Sequence, residues 1–279
     1  MADVGRERIL GLLERVGHQE DGEIDLADTA LLLGAVDAPE TDLAPARRHL
    51  DQLRNDVVEL GRGALEAEEA LAALRAVIYE KHGYRGDSET YDDPHNANLL
   101  HVIDRKKGLP VALGILCIHT AAGAGWDMKG LNFPSHFLLR LEMPAERAIV
   151  DPFDACANLD AAAIRARLKE MLGGNAEFNP SYFEPVSNRQ ILLRLQNNIK
   201  LRALQQEDFD RAVEILSAMV LIAPQEGDLI SERAVLFARR GELRAAIDTL
   251  SKFLDRGDAA AEDHPDMIAL LRDLRGNLN

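Results

Sequence analysis

Three residues in the middle of the chain have the types needed for nucleophilic chemistry. Cys117 lies in an apolar stretch, His136 follows it, and Asp151 comes next. A thiol attacks carbon as the thiolate, so it needs a base beside it. The base needs a partner that fixes its tautomer. Cys117 as nucleophile, His136 as base and Asp151 as orienter fit that scheme by type and order. Cys156, just after Asp151-Pro-Phe-Asp, is a second candidate thiol. Each residue also has a structural reading. Cys117 is flanked by Ile115, Leu116 and Ile118, the setting of a small buried hydrophobe. Cys156 can be a stray thiol. His136 and Asp151 can hold each other for shape alone, and Asp151 before Pro152 can simply end a strand.

Other chemistry finds less support. Two cysteines exclude a disulfide framework and a four-cysteine zinc site. The eight histidines show no HExxH and no paired Cys/His spacing; His95 and His101 stand six apart. No Gly-rich phosphate loop follows a strand, so the sequence leads us to expect neither metal nor cofactor. Lys plus Arg is 32 against 47 for Asp plus Glu, a net charge of −15. That balance argues against nucleic-acid binding, whose footprint is basic, and against anionic membranes. The start, MADVGRERIL, does not read as a secretory signal. The longest apolar run, around Leu109 to Ala124, is broken by Gly114, His119, Thr120 and Gly123 and is short for a membrane span of about 20 residues. A cytoplasmic location is expected, where both thiols stay reduced.

These residues have to be positioned by the elements around them. Residues 1–84 carry apolar positions at helical spacing, such as Ile9, Leu13 and Val16, then Leu50, Leu53, Val57 and Leu60, then Leu71, Leu74 and Ile78. Residues 85–185 change character. A polar loop from Gly86 to Asn96 leads to a short helix over Ala97 to Asp104. Pro110 then suits the first turn of an apolar helix running from Val111 to about Ala124. Three strand-like runs follow, MKGLNFP, HFLLRLEM and AIVDPF, with His136 opening the second. One buried helix followed by a small, antiparallel sheet is an α+β pattern. Residues 186–279 return to helices with an internal repeat. Phe209 pairs with Leu243, Ala212 with Ala246 and Leu216 with Leu250, each 34 residues apart. That is the period of the tetratricopeptide repeat. Pro224 ends one unit, Gly241 marks a turn, and Pro265 to Leu278 reads as a capping helix.

The middle segment resembles the transglutaminase-like superfamily, and most closely the bacterial SirB-regulator-type family, which joins such a core to tetratricopeptide repeats. The residues carrying the resemblance are YDDPHNANLLHVIDRKKGLPVALGIL (Tyr91 to Leu116), NFPSHFLLRL (Asn132 to Leu141) and IVDPFD (Ile149 to Asp154). The resemblance implies a papain-like α+β core. In catalytic members the nucleophilic cysteine stands at the start of the buried helix, where the helix dipole and backbone N–H groups lower its pKa. The matching positions are about Val111 to Leu113, and none is cysteine. Cys117 lies seven residues after Pro110, about two turns in, some 10 Å along the axis. The resemblance therefore carries over His136 and Asp151 but no nucleophile.

Asn96, Asn98, Arg105 and Lys107 fall near the entrance to the core helix, where they can line a cleft or serve loop geometry. Two functional classes follow. One is a regulatory or scaffolding protein that binds other proteins through its repeats and a degenerate cleft, with the acidic balance steering basic partners. The other is a cysteine-dependent hydrolase or acyltransferase using Cys117 or Cys156 with His136 and Asp151. A ligand-binding domain built on the old cleft is a third.

Overall fold

A computed structural model describes residues 2–173, 179–255 and 264–277. Contacts divide the chain into two units, residues 20–195 and residues 1–19 with 196–279.

The larger unit is the α+β core. Its helices are α2 (Leu26–Ala35), α3 (Ala44–Leu60), α4 (Ala67–Leu74), α5 (Leu99–Arg105), α6 (Pro110–Gly123) and α7 (Ala161–Leu172). Helix α4 runs into a π-helical turn, Arg75–Lys81. Helix α6 is the core of this unit. Pro110 opens it with no N–H to lose, and Leu109 is its extended N-cap. From Pro110 to Cys117 its residues are apolar on every side, and all of them are buried. Leu113, Ile115 and Leu116 are fully buried, and each such side chain contributes about 1.5–3 kcal/mol. Thr120 satisfies its buried hydroxyl by donating to the Leu116 and Cys117 carbonyls. The helix stops at Gly123, and Gly125 turns the chain away at φ +77°.

Strands β1 (Arg85–Gly86) and β2 (Lys107–Gly108) form a small parallel pair. The main sheet is an antiparallel meander of β3 (Asp127–Gly130), β4 (Leu139–Glu142), β5 (Arg147–Asp151) and β6 (Ala157–Asn158). Gly130 pairs with Leu139, and Leu139 with Val150. Leu139 and Leu141 face the core while Arg140 and Glu142 lie half-buried, the period-2 pattern of a one-sided sheet. Met143 N–H donates to the Glu146 carbonyl and closes the β4–β5 hairpin. The sheet packs on α6 through a close approach. A Cβ on Gly114 would sit 2.5 Å from the Phe137 ring, and one on Gly130 would meet the same ring.

Two sequence expectations shift. Helix α5 starts at Leu99, because Pro94–Ala97 forms a 3-10 turn and Asn98 then caps the helix by accepting from Leu100 N–H. His136 does not open a strand. It stands in the loop before β4, after Ser135 at φ 57°.

The smaller unit is helical: α1 (Ala2–Gly17), the second half of α8 (Asn188–Gln205), α9 (Phe209–Ile222), α10 (Gly227–Arg239), α11 (Leu243–Leu254) and α12 (Pro265–Asn277). Phe209 and Leu243 each begin a helix, so the 34-residue offset aligns α9 with α11. Ala212, Ala246, Leu216 and Leu250 are all fully buried, as closely approaching repeat helices require. Gly241, at φ +80°, turns α10 into α11. Met267, Leu271 and Leu274 of α12 close the apolar cluster; Leu278, at the end of the expected capping helix, lies outside the described residues.

Candidate functional site

Strand β5 ends on Asp151, and the chain turns at once into a 3-10 turn, Pro152–Asp154. Asp151 caps that turn: its Oδ1 accepts from Phe153 N–H at 2.9 Å. The same oxygen lies 2.9 Å from His136 Nε2. The other carboxylate oxygen lies 2.5 Å from the Arg167 guanidinium of α7. Burial would raise the Asp151 pKa, but hydrogen bonding to His136, its charge and that of Arg167 outweigh burial and bring it below the ordinary carboxylate value. Asp151 is therefore a buried anion. A carboxylate only accepts, so His136 donates this bond from Nε2.

His136 is held from its backbone as well. Its N–H donates to the Pro134 carbonyl, and the Arg194 guanidinium of α8 donates to the carbonyls of Phe133 and His136. Phe133 anchors the loop in a small core with Leu131, Leu138, Ile164 and Leu168. The Phe153 ring lies edge-on to His136 and also to Tyr91. The pair is thus fixed from β4, β5, α7 and α8.

The two thiols sit elsewhere in the same core. Cys117 is in the third turn of α6, and both thiols are fully buried. Cys117 Sγ lies 3.4 Å from Cys156 Sγ. The Tyr79 hydroxyl is 3.4 Å from Cys117 Sγ and 3.5 Å from Cys156 Sγ, and it donates to the Pro152 carbonyl at 2.7 Å. Neither thiol hydrogen-bonds to His136 among the described residues. At the start of α6, where a nucleophile would meet the helix amides, stand Val111, Ala112 and Leu113, all buried.

The four polar residues near the α6 entrance divide in two. Asn96, Arg105 and Lys107 gather on buried Asp87. Lys107 Nζ lies 2.8 Å from Asp87 Oδ2 and Arg105 3.5 Å from it, while Arg105 also pairs with Asp93 at 2.8 Å. Asn96 is fully buried, donates to the Thr90 carbonyl and receives Leu109 N–H on its own carbonyl. Asn98 points the other way: its amide donates to the Gly34 carbonyl at 3.0 Å. Burial would raise the Asp87 pKa; hydrogen bonds from Lys107 and Thr90 hold it well below the carboxylate range instead.

Several residues of these networks escaped the sequence reading. Arg167 and Tyr79 carried no signal in the sequence, and Asp87 read only as part of a polar loop. Only their distant partners mark them out. Among the described residues no group of three or more His, Cys, Asp or Glu side chains could hold a metal ion. Among the same residues no helix is long and apolar enough to cross a membrane.

Comparison with known proteins agrees with this layout. Residues 44–197, more than half of the chain, match the transglutaminase-like superfamily, and residues 199–274 match the tetratricopeptide repeat. A "UPF0162 protein" of Xylella fastidiosa (strain Temecula1) is 27% identical over 88% of this chain and 89% of its own length. A "UPF0162 protein" of Vibrio cholerae is 29% identical over 86% and 89%. "Protein SirB1" of Salmonella typhimurium is 22% identical over 69% of this chain and 71% of its own.

Proposed function

The chain belongs to the transglutaminase-like superfamily, and from that membership we propose that it is a non-catalytic member, a regulatory or scaffolding protein. It binds other proteins through its tetratricopeptide repeats and through the cleft of a degenerate core. The observation that carries this reading is the start of α6. Val111, Ala112 and Leu113 fill the nucleophile's place with buried apolar side chains. The nearest thiol on that helix, Cys117, is about 6 to 9 Å further along the axis. The His136–Asp151–Arg167 arrangement then orients the β4 and β5 ends without a sulfur to activate. The repeats offer what a scaffold needs, a stack of paired helices with solvent-facing positions such as Leu201, an exposed large apolar residue.

The second reading, a cysteine-dependent hydrolase or acyltransferase, draws on the same pair. His136 keeps its orienting carboxylate and a second ring nitrogen, Nδ1, which is what a base needs. Among the described residues no thiol hydrogen-bonds to that nitrogen.

The test uses the full-length chain as bait in cell extract beside Leu201→Glu and His136→Gln variants. The scaffold reading expects capture that Leu201→Glu lowers at least tenfold, with no release of ammonia from glutamine-containing peptides. Equal capture by the wild type and Leu201→Glu, or turnover that disappears in His136→Gln, would contradict it.

A further inference from the structure

Cys117 and Cys156 have no part in the proposed function, yet the fold brings them together by unusual means. Cys117 arrives on the buried helix α6. Cys156 arrives on two successive left-handed residues, Ala155 at φ 46° and Cys156 at φ 54°. Side chains other than glycine rarely adopt that conformation, and a pair persists only where surrounding structure holds it. Tyr79 arrives on the π-helical turn, a form frequent at functional sites. A buried hydrophobe requires none of these devices. Together they place two sulfurs 3.4 Å apart with one hydroxyl against both.

We propose that Cys117 and Cys156 are a modification site, a dithiol that a small hydroperoxide oxidises to an intramolecular disulfide. Cys156 is the attacking sulfur. The hydrogen bond from Cys117 favours its thiolate, and the same bond together with burial pushes Cys117 up. The Cys156 thiolate attacks one peroxide oxygen; an S–O bond forms, the O–O bond breaks and the alcohol or water leaves. Cys117 then attacks the Cys156 sulfenic acid. The S–S bond forms, the S–O bond breaks, and water leaves with the Cys117 proton. Two thiols and one hydroperoxide give one disulfide, one alcohol and one water, with two electrons passing to the peroxide. The sulfurs close by about 1.3 Å to reach the ordinary S–S length of about 2.05 Å. Burial disfavours larger thiol reagents and favours hydrogen peroxide, the smallest hydroperoxide, whose leaving group is water.

The turn that carries Cys156 begins at Asp151, and Tyr79 holds the Pro152 carbonyl next to it. Oxidation is therefore felt at the His136–Asp151 pair. The modification needs neither the repeats nor a partner, so it stands apart from the binding role.

The experiment treats the reduced full-length protein with hydrogen peroxide, removes the peroxide with catalase, then unfolds, alkylates and weighs the chain. The chain has only two cysteines, so the assignment is direct. The expected product has lost two hydrogens, takes up no alkyl group and returns to a doubly alkylated chain after dithiothreitol. Cys117→Ser and Cys156→Ser yield no such species. Two outcomes would overturn the proposal. One is oxygen gained on a sulfur with the second thiol still alkylatable. The other is two free thiols at peroxide levels that oxidise the guanidine-unfolded chain.

Discussion

His136 Nε2 lies 2.9 Å from Asp151 Oδ1, and neither residue of this pair hydrogen-bonds to a thiol among the described residues. The two halves of a cysteine-hydrolase constellation are thus both present and separately engaged. Asp151 binds His136, Arg167 and the Phe153 amide, while the sulfurs bind each other and Tyr79.

Asp151 is nearly inaccessible, so removing its charge leaves Arg167 and His136 without their partner. Asp151→Ala is expected to destabilise the fold by about 3–5 kcal/mol, read from urea unfolding. The folded pKa is depressed, so the wild-type carboxylate contributes its stability above the unfolded value of about 4 and loses it as pH falls further. Asp151→Asn flattens that acid limb.

His49 sits 3.0 Å from the Lys106 ammonium and 2.8 Å from the Tyr84 hydroxyl. Burial, then Lys106, lower its pKa from 6.5 to about 4. A depressed histidine stabilises the fold fully above the unfolded value. Stability is lost as pH falls from about 6.5 toward about 4, because the unfolded chain takes the proton first. An NMR titration of the His49 ring should show a midpoint near 4, and Lys106→Gln should move it upward.

Gly114 leaves no room for a methyl group against Phe137. Gly114→Ala should cost about 1–3 kcal/mol through overpacking, despite the better helix propensity of alanine. A thermal melt measures it; a gain in stability would show that β4 can retreat from α6.

Lys107 and Arg105 read from sequence as possible cleft residues, yet both are committed to buried Asp87. Lys107→Met leaves that carboxylate short of a cation and should cost about 1–3 kcal/mol in urea unfolding. An unchanged midpoint would return Lys107 to the role of a free cleft residue.

Periodic features were the legible ones. The 34-residue spacing of Ala212 and Ala246 marks the small residue at which the two helices of each unit approach closely, and the unbroken apolar face around Leu113 marks a buried helix. The pairing of Asp151 with His136 followed from strand order and the resemblance together. What stayed illegible depends on non-local contact. Nothing near Arg167 or Tyr79 in the chain announces Asp151 or the thiols. The left-handed turn at Ala155 and Cys156 has no glycine to signal it. Asn96, Arg105 and Lys107 were visible as polar residues, but their shared partner Asp87 appears only once β1 and β2 pair.

The claim that His136 activates neither thiol of the core is tested most directly by alkylation. Iodoacetamide is applied to the folded wild-type protein and to His136→Gln, and the rate at each thiol is followed by mass. The account predicts slow modification in both proteins, equal within a factor of two and accelerated only by unfolding. A thiol that reacts fast in the wild type and more than tenfold slower in His136→Gln would contradict it.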